Sequence, residues 1–362
     1  MTLRDDLTAL MGIPGLSGHE DRVRRWIAQR LRVPTETDTL GNLWATLPGD
    51  PGLPSVMLFA HMDQLGFIVR RIDPGGTIGI ERMGGVPERA LPAQEVILCV
   101  GEGRDVYGVI ANKSHHATTP DEKYTVLPVP ELYIDAGLSS AAEADAAGIR
   151  IGTPVVYAPG AVPMGDHLIA GPAIDDRAGC AVLIALIERL AGSPARPTIH
   201  VAFTVLEEFN LRGAAPLAER LKPDMAIQID LMLASDTPDM AGRGEMILGG
   251  GPGISLYSFH GRGTLNGVIP HPAMVALMEG AAETAGLPLQ RSASTGILTD
   301  LSYVQLTNGG TAAIDAGYPM RHSHSAREIC DLRDLDALTT LLHTALQAIG
   351  PGFTLDRDAY TR

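Results

Sequence analysis

The sequence predicts an α/β fold with a mixed, mostly parallel central sheet flanked by helices, and an inserted small β-barrel-like domain. Helical patterns alternate with short apolar, β-branched runs in the first and last parts of the chain, which is typical of layered α/β proteins. From about residue 65 to residue 164, short strand-like runs separated by glycine and proline turns are typical of a small barrel. We therefore predict a main domain formed by residues 1–64 and 166–362, with residues 65–165 inserted into it.

Three elements are predicted before the insertion. Residues 2–11 have a helical pattern. Ser17 and Glu20 have the spacing of a capping box, which predicts a second helix over residues 21–32. The continuous apolar run SVMLFA, residues 55–60, predicts a strand buried on both faces.

The remaining elements follow from the same patterns. Inside the insertion, one helical segment covers residues 139–147. After it we predict helices over residues 177–191, 271–285 and 335–349, and strands over residues 198–206, 225–230 and 311–314.

Composition narrows the class of protein. The 362 residues are 45% hydrophobic and include 28 Lys and Arg against 42 Asp and Glu, for a net charge of −14. An acidic chain lacks the basic face that nucleic-acid binding needs, and no run approaches the roughly 20 apolar residues of a membrane span. The three cysteines are widely spaced and the N-terminus has no signal-peptide pattern, so we expect a cytoplasmic protein.

Acidic residues and histidines occur at the ends of three predicted strands and in two loops. Ligands of open α/β sheets gather at the carboxyl ends of the strands, so these side chains are expected to meet. Imidazole and carboxylate ligands without thiolate suit Zn²⁺, Co²⁺ or Mn²⁺. The candidate residues are His61, Asp63, Asp175, Asp176, Glu207, Glu208, Asp230, His322 and His324.

Each candidate taken alone also has an ordinary structural explanation. Asp175 and Asp176 fit a helix N-terminus, and Asp230 fits a turn after a strand. Adjacent Glu207 and Glu208 are harder to explain, because two neighbouring carboxylates repel each other unless water or a cation compensates them. The coincidence of all these sites at one sheet edge favours a metal centre.

Five segments resemble the consecutive signatures of the tetrahedral or glutamyl-type dinuclear metallo-aminopeptidases. The segments are AHMDQLGF, IDDRAG, TVLEEFNLRGA, IDLMLASDTPD and MRHSHSARE, and the resemblance extends to GLSGHED, MGGVPERALPAQ and GILTDLSYVQLTNGGTAAI. It therefore covers nearly the whole chain. NKSHHATTP, residues 112–120, and Phe209-Asn210 depart from the usual pattern of the family, and neither departure removes a ligand.

The resemblance implies a zinc-peptidase-like fold for the main domain and a specific site. Two metal ions would be bridged by Asp175, one bound also by His61 and Asp230, the other by Glu208 and His324. Glu207 would be the general base for a metal-bridged water, and Asp63 the partner of the His61 imidazole. The choice of His324 over His322 rests on matching RHSHS to Arg-x-x-His-Ser.

The resemblance also implies the substrate and the assembly. The substrates would be short peptides that lose their N-terminal residue, and the inserted domain would mediate subunit contacts in a homo-oligomer, often a tetrahedral dodecamer in this family. Three alternatives stay open at this point. They are a metal-dependent deacylase or amidohydrolase, a relative of the family members labelled glucanases, and a non-catalytic assembly protein.

Overall fold

A computed structural model describes residues 1–191, 197–261 and 265–360 of the chain. Within these ranges the strands form a 12-stranded mixed sheet and a closed six-stranded barrel. Both parts of the predicted fold class are therefore confirmed. In the described ranges, no helix is long and apolar enough to cross a membrane.

The α-helices agree closely with the apolar periodicity of the sequence. In chain order they are α1 (Leu3–Met11), α2 (Asp21–Arg30), α3 (Ala141–Ala146), α4 (Ile174–Leu190), α5 (Ala214–Leu221), α6 (Pro272–Ala285), α7 (Leu301–Val304) and α8 (Leu332–Ala348). Of these, α5 and α7 were not predicted. Asp175 and Asp176 have non-helical backbone angles, so the regular part of α4 begins at Arg177, as expected.

The strands of the main sheet precede and follow the barrel strands in the chain. They are β1 (Glu36–Thr37), β2 (Leu43–Leu47), β3 (Val56–His61), β10 (Val162–Met164), β11 (Leu168–Gly171), β12 (Ile199–Thr204), β13 (Met225–Leu233), β14 (Gly253–Phe259), β15 (Gly267–Val268), β16 (Gln290–Thr295), β17 (Ala312–Arg321) and β18 (Glu328–Asp331). The barrel strands are β4 (Gly66–Ile72), β5 (Ile78–Met83), β6 (Glu95–Leu98), β7 (Val106–Ile110), β8 (Tyr133–Asp135) and β9 (Pro154–Tyr157).

The centre of the main sheet is parallel, with the strand order β12-β3-β13-β17. The outer strands are antiparallel: β2 and β1 lie on one side, and β18, β11 and β10 on the other. Strand β14 also pairs with β17, and β15 and β16 pair with β14. The carboxyl ends of four parallel strands therefore meet at one edge of the sheet.

Strand β3 shows how the sheet is held between two layers. Its residues are all buried, and they alternate between two apolar clusters. Val56, Leu58 and Ala60 belong to a large cluster that includes α4 and α8, whereas Met57 and Phe59 belong to a smaller cluster that includes α5 and α7. Burying one such side chain stabilises the fold by about 1.5–3 kcal/mol. A strand with two apolar faces is stable only at the centre of a sheet.

The barrel follows directly from β3, since β4 begins five residues after His61. Every adjacent pair in the circuit β4-β5-β8-β7-β6-β9 is antiparallel. Its interior is a separate apolar cluster that includes Phe67, Ile80 and Ile134. This short connection keeps one end of the barrel beside the edge of the main sheet.

Two local predictions were wrong. Ser17 does not cap α2, because its hydroxyl donates to Asp63 at 2.6 Å instead, and the capping box of this region is formed by Thr2 and Asp5 at α1. Asp230 does not end its strand, because β13 continues to Leu233 through pairing with β17. In both cases a partner distant in sequence replaced the local one.

Candidate metal centre

His61, the last residue of β3, is buried at the carboxyl edge of the sheet. Its Nδ1 lies 3.1 Å from the backbone oxygen of Asp63, and its Nε2 lies 3.0 Å from Oδ1 of Asp175. Because a carbonyl oxygen only accepts, Nδ1 carries the proton and donates it. Burial alone would lower the pKa of His61, but Glu207, Asp175 and Asp63 raise it well above the ordinary value. A proton on Nε2 therefore occupies the position that a cation would take between this nitrogen and Asp175.

His324 repeats this arrangement from the opposite side. It lies in the turn after β17, with φ of 65°, and its Nδ1 is 2.7 Å from the backbone oxygen of Gly85 in the barrel segment. Its Nε2 is 3.4 Å from Oδ2 of Asp175 and 4.0 Å from Oε2 of Glu208. His322 is exposed and belongs to neither group of potential ligands described below. The two histidines lie in a turn and not on one face of a strand.

Asp175 is thus the residue between the two imidazoles, with one oxygen facing each. Two lone pairs aimed at one carboxylate repel it unless a proton or a cation lies between them. The geometry fits a bridging carboxylate.

The potential ligand atoms fall into two groups, each within 4.8 Å. One group contains His61, Asp176 and Asp230, and the other contains Asp175, Glu208 and His324. The structure therefore brings the five predicted ligands together and adds Asp176. Oδ1 of Asp176 accepts from the hydroxyl of Tyr318 at 2.9 Å, whereas its Oδ2 has no hydrogen-bond partner among the described residues.

Glu207 and Glu208 follow β12, and the carboxylate of Asp63 holds their backbone. Asp63 Oδ1 accepts from the backbone N–H of Glu207 at 3.1 Å, and its Oδ2 accepts from that of Glu208 at 3.0 Å. Leu206, just before them, has a φ of 61°, a left-handed conformation that is strained for leucine. The hydrogen bonds to Asp63 compensate that strain. Asp63 therefore positions the glutamate pair as well as the His61 ring, whose Nδ1 is 3.5 Å from its carboxylate.

Glu328 is a positioning residue that the sequence interpretation did not identify. Its Oε2 accepts from the backbone N–H of Asp175 at 3.1 Å, and its Oε1 accepts from that of His324 at 2.9 Å. One buried carboxylate thus links two predicted ligands. The available signal was its place in the segment MRHSHSARE, four residues after His324.

The centre holds more negative charge than its own cations balance. Burial, together with neighbouring acids, raises the pKa of Asp176, Glu207 and Glu208 well above the ordinary value, and that of Asp230 to about 8. Oε1 of Glu208 is buried without a hydrogen-bond partner among the described residues. Unpartnered buried carboxylates are costly unless a cation compensates them. The residues present therefore fit divalent metal ions.

A pocket of about 420 Å³ opens beside this centre. Its wall includes Glu207, Glu208 and His324 together with apolar side chains, among them Leu231 and Ile297. A pocket of this volume is in the range of small-molecule binding sites, and it lies next to the potential ligands.

A mixed α/β sheet that carries clustered histidines and carboxylates beside a pocket of this size fits the class of metal-dependent hydrolases. Residues 41–341 match the model of the M42 glutamyl aminopeptidase family, and the chain belongs to that family. It is therefore a peptidase, an enzyme that hydrolyses peptide bonds.

Individual relatives agree with this assignment. The chain is 34% identical to the putative aminopeptidase SgcX of Escherichia coli over 99% of this chain and 97% of the relative. It superposes on an aminopeptidase of the archaeon Desulfurococcus kamchatkensis with a TM-score of 0.91 and 30% identity, covering 99% and 98% of the two chains. The TET1 peptidase of Pyrococcus horikoshii, described as assembling into a tetrahedron or a large octahedral shell, gives a TM-score of 0.84 and 27% identity, with coverage of 95% and 98%.

Proposed function

We propose that the protein is an aminopeptidase that removes the N-terminal residue of short peptides and uses two divalent metal ions. The observation that supports this most strongly is the Asp175 carboxylate, whose two oxygens face the imidazoles of His61 and His324. A carboxylate between two groups of ligands is the arrangement that a dinuclear site requires.

Asp175 would bridge the two ions. His61 and Asp230 would complete one site, and Glu208 and His324 the other. Asp176 lies beside the first site, but its Oδ1 is held by Tyr318, so only Oδ2 is available there. Carboxylate and imidazole ligands suit Zn²⁺, Co²⁺ and Mn²⁺.

The metal ions, when bound, supply a polarised scissile carbonyl and a water of lowered pKa. Glu207 is the residue of this chain that accepts a proton from water and returns it to the leaving amine. Its carboxylate lines the pocket and lies 4.0 Å from His61 Nε2, while Asp63 fixes its backbone. Because the neighbouring Glu208 would be occupied as a ligand, Glu207 stays free to exchange the proton.

We further propose that the protein is a cytoplasmic homo-oligomer, on the scale of a tetrahedral dodecamer, assembled through residues 65–165. Residues 112–128 of this segment are exposed apart from the half-exposed Thr118, and they include the apolar side chains of Tyr124, Val126 and Leu127. An exposed apolar segment of this kind is typical of a protein–protein contact. The assembly described for the Pyrococcus horikoshii relative supports this proposal.

The test is peptide hydrolysis after removal and return of metal. The chelated protein should be inactive on aminoacyl fluorogenic amides, and Zn²⁺, Co²⁺ or Mn²⁺ should restore activity. The matched control is the same aminoacyl amide with an acetylated amino group, which an aminopeptidase should leave intact. Cleavage of the acetylated amide alone would show a deacylase, and chelator-insensitive hydrolysis of a glucan would show a glycosidase.

A further inference from the structure

A second, smaller cavity lies behind the wall of the catalytic pocket. Its volume is about 20 Å³, and it shares the lining residues Asp230, Leu231, Ile297 and Thr299 with that pocket. The rest of its wall is formed by Met232, four serines and Asp315. A space of this volume holds about one water-sized group.

The serines come together because of strand register. Ser255 of β14 pairs with Ser292 of β16, and a bulge then brings Ser258 opposite Ser294. Side chains two residues apart share a face of a strand, and the hydroxyls of Ser292 and Ser294 are 3.0 Å apart. The polar face is therefore built into three adjacent strands, since β14 also pairs with β17, which carries Asp315.

Two buried atoms in this wall have no hydrogen-bond partner among the described residues. Asp315 is 4% exposed, and although its Oδ1 accepts from the hydroxyl of Thr299 at 2.8 Å, its Oδ2 is unpartnered. Ser258 is 5% exposed, and its Oγ is also unpartnered. Unpartnered buried polar atoms next to an enclosed space point to an occupant of that space.

The charge of the wall selects the occupant. The described residues that line the cavity include no lysine, arginine or histidine. Burial raises the pKa of Asp315 to about 7, because its charged form has no compensating cation among the lining residues. A water molecule would satisfy hydrogen bonds but would leave that charge uncompensated, whereas a cationic group would stabilise it. The other carboxylate of the wall, Asp230, would be compensated by the proposed metal centre, which leaves Asp315 for the occupant. A divalent ion prefers several carboxylates, whereas one available carboxylate among hydroxyls matches a single positive charge.

We propose that this cavity is an anionic subsite that binds one small monovalent cationic group. Two sources have this chemistry: a free alkali cation, and the ammonium group of a lysine side chain at the N-terminus of a bound peptide. The second source rests on the proposed aminopeptidase function. It is reasonable because the cavity adjoins the catalytic pocket and a lysine ammonium ends a flexible four-carbon stem.

The first arm of the test is thermal unfolding of the metal-loaded protein in KCl or NaCl, compared with choline chloride at the same concentration of about 0.1 M, where screening is equal. Choline is too large for the cavity. If a free cation is the occupant, its binding should raise Tm of the wild type by at least about 2 °C. Asp315→Asn, which keeps the shape and the bond to Thr299, should abolish this rise.

The second arm is hydrolysis of lysyl, leucyl and glutamyl amides. If the lysine side chain is the occupant, Asp315→Asn should lower kcat/KM for the lysyl substrate at least about 30-fold, the loss typical of an unpaired buried charge. The leucyl substrate should change less than about threefold, the range of a near-neutral contact. Glu219→Gln, which removes the same charge from an exposed position of α5, is the matched control and should behave as the wild type in both arms.

Ser258→Ala keeps the proposal testable if Asp315→Asn does not fold. If no cationic group binds in the cavity, removing an unpartnered hydroxyl should be neutral or stabilising and should change neither the Tm rise nor the lysyl preference. If the hydroxyl contacts the cation, the same variant should lose at least half of the Tm rise or of the lysyl preference.

Each outcome decides the matter. A Tm rise that depends on Asp315 assigns a free cation, and an Asp315-dependent lysyl preference assigns the substrate ammonium. If the wild type shows neither a cation-dependent rise in Tm nor an Asp315-dependent preference for the lysyl substrate, while it hydrolyses the leucyl amide, the subsite is overturned. The aminopeptidase proposal then still stands. If no aminoacyl amide is hydrolysed, the proposed function fails, and the unfolding arm still decides on the cation.

Discussion

At the scale of single residues, the centre depends on which nitrogen of each histidine is free. Both imidazoles direct Nδ1 at a backbone carbonyl, and both direct Nε2 at Asp175. A hydrogen bond at one ring nitrogen fixes the tautomer and leaves the other nitrogen available to a metal. The backbone oxygens of Asp63 and Gly85 therefore orient the two rings in the way that the proposed ligand role requires.

The two neighbouring histidines provide a direct test of this geometry. His324→Ala should lose about one of two bound ions and most activity, because its Nε2 faces Asp175 and Glu208. His322→Ala should retain both ions, since that side chain is exposed. Metal analysis of the two variants beside the wild type checks this, and the reverse pattern would show that the ligand assignment is wrong.

The adjacent glutamates should differ in kind. Glu207→Gln keeps the size of the side chain but accepts no proton, so kcat should fall by about 10²–10⁴-fold with metal content unchanged. KM should change little, because the residue acts in the transition state. Glu208→Gln should weaken one metal site, and added metal should restore part of the activity. Kinetics with metal analysis on both variants separates the roles, and metal loss confined to Glu207→Gln would reverse them.

At the scale of elements, the site depends on close contact between β13 and β17. Strand β13 carries Asp230, and Gly317 of β17 is paired with it. A Cβ added at Gly317 would lie 1.9 Å from the backbone oxygen of Asp230, which is far inside van der Waals contact. The absence of a side chain at this position lets the two strands approach.

Gly317→Ala should therefore lower the free energy of unfolding by at least about 3 kcal/mol, the range of severe steric conflicts in a core. The matched control is Gly280→Ala in α6, where an added Cβ meets nothing within 4 Å. That change should stabilise the protein by about 0.5–1 kcal/mol through helix propensity. Chemical denaturation of both variants checks the pair, and equal stabilities would contradict the close contact.

At this scale, the sequence predicts those elements whose interactions are local in the chain and misses those whose partners are distant in sequence. Strand β3 and helix α8 were predicted because their apolar patterns are local. The length of β13 was not, because its last pairs, such as Leu233 with Met320, join segments far apart in the chain. Ser17 was misread for the same reason, since its partner Asp63 is 46 residues away. Glu328 was missed because its role is to accept from two backbone N–H groups, which leaves no pattern in the sequence.

At the scale of the whole molecule, the barrel adds an exposed surface to a complete sheet domain. Its own apolar core is separate from that of the sheet, so the barrel does not need the exposed segment of residues 112–128 for its interior. We therefore expect this segment to function in assembly. The bounds of the inserted domain at residues 65 and 165 stay a prediction.

Light scattering at micromolar concentration should give a mass of several times 38.2 kDa, the mass of one chain. Leu127→Glu, which places a charge in the exposed segment, should shift the distribution toward smaller species. Leu40→Glu is the matched control, because Leu40 is a comparably exposed leucine outside the insertion, and it should leave the mass unchanged. A wild type that is only a monomer would contradict assembly through the barrel.

The most direct test of the central claim is the metal content of the wild type and of Asp175→Asn after equilibration with Zn²⁺ or Co²⁺, measured beside activity. A bridging carboxylate predicts close to two ions per chain in the active wild type and a loss of both sites together in Asp175→Asn, with activity abolished. A fully active wild type that never holds more than one ion, or an Asp175→Asn variant that keeps two, would contradict the dinuclear centre.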